Sequence, residues 1–123
     1  MAKDFQASKP IYIQIAEHLS SQIVRGEMKA GDKLPSVREM AIQSGVNPNT
    51  IQRTYSEMER MGIVETKRGQ GTFVTENEQV LQVVKIQLQT EIIGAFVQNM
   101  KELGFSHEEM IQGLQKYFGG EQG

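Results

Sequence analysis

The 123-residue chain has no cysteine and no tryptophan, only two histidines and three prolines. Without thiols there can be no disulfide, no thiolate zinc site and no cysteine nucleophile. His18 and His107 lie far apart in the sequence with no evident carboxylate partners, so neither a metal nor a cofactor is expected. No continuous apolar run of about eighteen residues occurs, and no signal-peptide core follows Met1-Ala2-Lys3-Asp4. The sequence therefore predicts a soluble, cytoplasmic protein with no membrane partner. Nucleophile motifs are also missing, and Gly69-Gln70-Gly71 lacks the strand-loop-helix setting and the Lys-Ser/Thr of a phosphate-binding loop. No catalytic residue is assigned, and an enzyme is not expected.

What is present is unevenly distributed. The net charge is −2, yet residues 1–75 hold ten Lys/Arg against eight Asp/Glu, whereas residues 76–123 hold three against seven. All five arginines, Arg25, Arg38, Arg53, Arg60 and Arg68, lie in the first part. A polyanion responds to clustered charge more than to the sum, so the order of elements has to decide what these cations do.

Pro10 suits a first helical turn, and Ile11, Ile15, Leu19 and Ile23 recur every fourth residue up to Gly26, which predicts a first helix with one aliphatic stripe. Glu27 to Pro35 carries turn residues and a closing proline. Ser36-Val37-Arg38-Glu39 has the capping-box pattern and opens a short helix to Ser44, stopped by Gly45. Asn47-Pro48 is a second start signal, and Ile51, Tyr55 and Met58 form the apolar face of a third helix ending at Gly62. The runs Ile63 to Thr66 and Thr72 to Thr75 flank Lys67-Arg68-Gly69-Gln70-Gly71 as a two-stranded hairpin. Three helices and a hairpin in this order make a winged helix-turn-helix.

From Asn77 the helical period returns, with Leu81, Val84, Leu88, Ile92, Phe96 and Met100 on a long stripe that continues to Leu103. Gly104 stops it, and Ser106 to Glu109 forms a second capping box before a last helix bearing Met110, Ile111, Leu114, Tyr117 and Phe118. The fold class is mainly α with a small β-hairpin: residues 1–75 as a winged helix-turn-helix, residues 76–123 as a two-helix tail. Its apolar side chains face more than one way, so self-association into a homodimer is the expected means of covering them, with Leu81, Val84, Leu88, Ile92, Phe96 and Met100 as the dimerisation seam.

The third helix exposes Asn47, Asn49, Thr50, Gln52 and Arg53 at its N-terminal end, residue types that hydrogen-bond to base edges or phosphates in a major groove. Arg38 sits in the first turn of the second helix, where the helix dipole favours a phosphate; the alternative is an intrahelical pair with an acid. Ser36 serves as its cap. The hairpin tip, Lys67, Arg68, Gly69, Gln70 and Gly71, combines cations with glycines and fits the narrower minor groove. Each group has a bland alternative as solvated surface; the helix-turn-helix arrangement favours double-stranded DNA.

Four motifs in order, Pro10-Ile11-Tyr12-x-Gln14-Ile15-Ala16, Gly26 to Ala41 with its Leu34-Pro35-Ser36 core, Gly45-Val46-Asn47-Pro48-Asn49-Thr50-Ile51 and Gly69-Gln70-Gly71-Thr72-Phe73-Val74, resemble the DNA-binding domain of GntR-family bacterial transcription regulators. The match covers residues 8 to 75. The short tail resembles the YtrA subfamily, whose members are homodimers with a small helical dimerisation region. The resemblance implies that Arg38 contacts DNA, that the start of the third helix reads the major groove and that the glycine wing enters the minor groove. Many members carry arginines where this chain has Pro48 and Gln52, which puts Asn47, Asn49, Thr50 and Arg53 forward as readers. The expected function is a sequence-specific transcription regulator, a repressor binding a two-fold operator. The alternative is a winged-helix protein-interaction module without specific DNA readout. A small-molecule effector is compatible with the first reading, since Phe96, Met100 or Phe105 could either line or fill a cavity in the dimer.

Overall fold

The computed structural model describes residues 9–121. The elements run α1 (Ile11–Val24), α2 (Val37–Ser44), α3 (Pro48–Arg60), β1 (Val64–Lys67), β2 (Gly71–Val74), α4 (Glu78–Glu102) and α5 (His107–Glu121). The chain divides into two compact units, one ending at Leu88 and one beginning at Gln89.

In the first unit, capping chemistry sets where each helix begins. Ser36 accepts from the Glu39 amide at 3.1 Å while Glu39 accepts from the Ser36 amide at 2.9 Å, closing the capping box. That amide bond, with the Ser36 hydroxyl next, holds the Glu39 carboxyl below its ordinary value. Gly45, at φ +69, ends α2 in the left-handed region where a side chain would be strained. Asn47 caps α3, and Pro48 occupies its first turn.

The core comes from the faces that the spacing predicted. Ile15, Ala16, Leu19 and Ile23 of α1 pack with Met40 and Ala41 of α2 and with Ile51, Tyr55 and Met58 of α3. Ile63, Val64 and Val74 close it below the hairpin. Large side chains such as Ile51 and Met58 are fully buried, and truncating either to alanine costs about 2–5 kcal/mol.

The wing differs from expectation in two respects. Its strands are shifted by one residue, since Lys67 pairs with Gly71 and Val64 with Val74, leaving Arg68-Gly69-Gln70 as a three-residue tip. The segment expected as a simple turn also lies along β2, joined to it by backbone bonds and one isolated bridge. Gly31 donates to the Val74 carbonyl at 3.0 Å, Val74 to Asp32 at 2.8 Å and Leu34 to Thr72 at 2.8 Å, with Lys33 bridged to Phe73. This pairing gives the segment's backbone groups partners on β2, an outcome that turn-forming residues do not reveal.

Asn77 caps α4 through its Oδ1. The first turns of α4 belong to the first unit: Val84 is 3% exposed in its core, and Val80, Leu81 and Leu88 pack against that core. Of the six residues expected in the dimer seam, Val84 is thus buried within the chain, and Leu81 and Leu88 are half-buried against the same core.

The second unit contains the rest of α4 and α5. Gly104 ends α4 at φ +89, and the Ser106–Glu109 capping box opens α5 with bonds of 3.1 and 2.8 Å. Met110 is buried, whereas Ile92, Ile93, Leu103, Ile111, Tyr117 and Phe118 are exposed. By length and mean hydropathy, 1.3 over an 18-residue window, α4 could also cross a membrane.

Candidate nucleic-acid interface

The helix period sorts the side chains of α3 into two faces. Ile51, Thr54, Tyr55 and Met58 are buried. At about 100° per residue, Asn49, Arg53, Ser56 and Arg60 lie within roughly 60° of one another on the opposite side, with Gln52 on its flank. All five are exposed. Ser56 was not singled out from sequence, although its position seven residues after Asn49 is the signal that places it there.

The exposed residues are not equally free to bind. The Asn47 Oδ1 accepts from the Asn49 amide at 2.7 Å, so it caps the helix and leaves only its NH2 to donate outward. A bidentate match to adenine needs both amide atoms, which Asn49 and Gln52 keep available. Thr50 is half-buried. Arg60 donates from Nε to Glu57 at 3.0 Å and pairs with it again through Nη2, which lowers the Glu57 pKa and raises that of Arg60. Arg53 makes no ion pair among the described residues; its guanidinium lies over the Tyr12 ring, 4.1 Å from the centroid.

Arg38 is exposed on α2. The alternative of an intrahelical ion pair fails, because no carboxylate of the described residues pairs with it. On the wing, Lys67 lies over the Phe73 ring, 4.8 Å from the centroid, while Arg68, Gly69 and Gln70 are exposed at the tip. Gln70 closes the tip by donating its amide to the Lys67 carbonyl at 2.8 Å. Gly71, half-buried at φ +123, leaves room for Lys33: a Cβ there would come within 2.8 Å of Lys33 Cε. Lys33 is thus a third cation on the wing, and it escaped notice in the sequence because only the pairing along β2 brings it there.

Four consecutive residues tie these groups together. Lys33 lies on the wing, and Leu34 bonds to Thr72 of β2. The Pro35 carbonyl accepts from the Tyr55 hydroxyl of α3 at 2.8 Å, and Ser36 caps the helix that bears Arg38. Burial, with a smaller contribution from the Glu39 charge, pushes the Tyr55 hydroxyl up to about 12 and keeps it a donor. Among the described residues Lys33, Arg38, Arg53, Lys67 and Arg68 make no ion pair, so their charge remains available to an anion. Among the described residues no group of His, Asp and Glu could hold a metal ion.

A capped helix with an open polar face, set behind a second helix and beside a basic hairpin, defines a winged helix-turn-helix protein of the kind that regulates transcription. Residues 11–74 match the family described as "Bacterial regulatory proteins, gntR family", and the chain belongs to that family. It is 58% identical over 117 residues to the HTH-type transcriptional regulator YhcF of Bacillus subtilis, covering 95% of this chain and 97% of that one. It is 46% identical over 98 residues to the HTH-type transcriptional repressor YtrA of Bacillus subtilis, covering 75% of each, which supports placement in the YtrA subfamily. A GntR family transcriptional regulator from Listeria monocytogenes has a similar structure, with a TM-score of 0.82 at 40% identity over 91% of this chain and 98% of that one. The protein is a DNA-binding transcription regulator.

Proposed function

We propose that the protein is a cytoplasmic, homodimeric repressor that reads a two-fold operator with Asn49, Gln52 and Arg53 of α3. Arg38, Lys67, Arg68 and Lys33 engage the phosphates beside them, and Gly69 to Gly71 bring the wing backbone close to the minor groove. Ser36 holds the start of α2 in register, Asn47 donates from its free NH2, and Thr50 and Ser56 border the reading face. The observation that carries this reading is an open polar face on α3 in a unit whose α2 and wing cations make no ion pair among the described residues. Ordinary solvated surface does not require such an arrangement to be tied together through Leu34 and Pro35.

The tail supplies the second copy. Ile92 is 69% exposed, and Ile93, Phe118 and Tyr117 are also open to solvent, while Phe96 and Met100 are half-buried. A two-fold contact would remove this surface from water. A membrane span fits less well, because Gln82, Lys85, Gln87, Gln89 and Glu91 interrupt α4 and its first turns pack on the winged core. The dimer would present two copies of α3 to successive major grooves, on the order of 34 Å apart.

Selection of bound duplexes from a random pool tests this function and should enrich a palindrome with half-sites about one helical turn apart. Arg38→Ala should weaken binding to that site at fixed salt without lowering the melting temperature. Equal competition by a scrambled duplex across several salt concentrations would instead favour nonspecific polyanion binding or a protein-interaction module.

A further inference from the structure

The first turn of α1 reaches the exposed face of α3 through a single aromatic ring. Tyr12 is half-buried, and the guanidinium carbon of Arg53 lies 4.1 Å from its ring centroid. The residue after Arg53 fastens the same place from beneath. The buried Thr54 hydroxyl is shared between the Thr50 carbonyl at 2.8 Å and the Tyr12 carbonyl at 3.3 Å. The backbone carrying the ring is therefore tied to α3 one residue from the guanidinium.

An exposed arginine normally samples many rotamers and loses that freedom on binding. A ring covers one face of the guanidinium, whereas its N–H donors radiate in the plane and remain available. Stacking thus restricts where the group lies without consuming the donors needed for a bidentate contact. Asn49 lies one helical turn earlier on the same exposed side, so Arg53 is held among the other candidate readers.

We propose that Tyr12, outside the helix-turn-helix reading face, is a positioning residue for specificity: its ring orients Arg53 so that the guanidinium fork reads one guanine through O6 and N7 in each half-site. The inference rests on the operator reading above. It requires the ring and not the hydroxyl, so phenylalanine should replace Tyr12 and an aliphatic side chain should not.

The test uses full-length wild-type, Tyr12→Leu, Tyr12→Phe, Arg53→Ala, Arg53→Lys and Tyr12→Leu/Arg53→Ala chains. Each is put through selection on randomised duplexes, titrated at fixed salt and melted to check folding. Arg53→Ala and Arg53→Lys should lose discrimination at one base pair per half-site. Tyr12→Leu should lower the preference at that same pair by roughly 3- to 10-fold. Tyr12→Phe should retain the preference, and the double variant should be no worse there than Arg53→Ala. Arg53→Lys leaves α1 untouched and reports on the fork even if Tyr12→Leu destabilises the chain. A wild-type preference in Tyr12→Leu would overturn the inference, as would uniformly weaker binding with unchanged preferences or unaltered selectivity in Arg53→Ala. Unaltered selectivity in Arg53→Ala would also remove Arg53 from the proposed readers, whereas the two Tyr12→Leu results would leave the operator reading standing; a wild-type chain that enriches no sequence would remove both.

Discussion

Tyr55 shows how one side chain can serve both packing and site geometry. Its ring fills the core at 4% exposure, and its hydroxyl reaches the Pro35 carbonyl at 2.8 Å, just before the start of α2. Tyr55→Phe keeps the ring but leaves that carbonyl without its donor, and should lower stability by about 1 kcal/mol in denaturant titrations. The hydroxyl has its pKa raised above 10, to about 12, so the folded chain holds this proton more tightly than the unfolded one. Its contribution is complete below pH 10 and is lost as pH rises through about 12. Wild type should therefore lose stability more steeply than Tyr55→Phe between pH 10 and pH 12, measured by melting both chains across that window. At this scale the caps at Ser36 and Asn47 were legible because they depend on neighbours in sequence. The Arg53–Tyr12 stack was not, since its partners are separated by forty-one positions and meet only when α1 packs on α3.

Among the elements, the helices follow directly from apolar spacing and start signals. The wing depends on a longer-range pairing. Gly71 is needed because its φ of +123 is strained for an L side chain, while the space at its Cβ is filled by the flexible end of Lys33, which would have to move. Gly71→Ala should destabilise the chain on the order of 1 kcal/mol and displace the Lys33 side chain from the hairpin. Affinity should then fall by a similar factor for operator and scrambled duplexes, as read by parallel titrations, because a wing phosphate contact carries little sequence information. An operator-specific loss would instead assign the wing a role in base readout.

For the whole molecule, the decisive feature is how α4 divides its apolar surface. Leu81, Val84 and Leu88 are committed to the winged core, while Ile92 and the exposed side chains of α5 have no such cover. Ile92→Asp should raise the dimer dissociation constant about 100-fold or more, measured by sedimentation across a dilution series, since a two-fold interface would bury the unpaired carboxylate twice. Helical circular dichroism should be retained. An unchanged dissociation constant would move the interface away from this face of α4.

The sequence by itself determined the helices, their caps, the hairpin and the polar face of α3, because each depends on local backbone chemistry or on the helix period. The four-motif resemblance pointed to the family that residues 11–74 match. Only the tertiary structure decided which surfaces remain available. It brought Lys33 to the wing, set Tyr12 beneath Arg53 and used the first half of the α4 stripe within the chain. Spacing specifies which side chains share a face, whereas long-range packing determines what that face meets and which donors, acceptors and charges remain open.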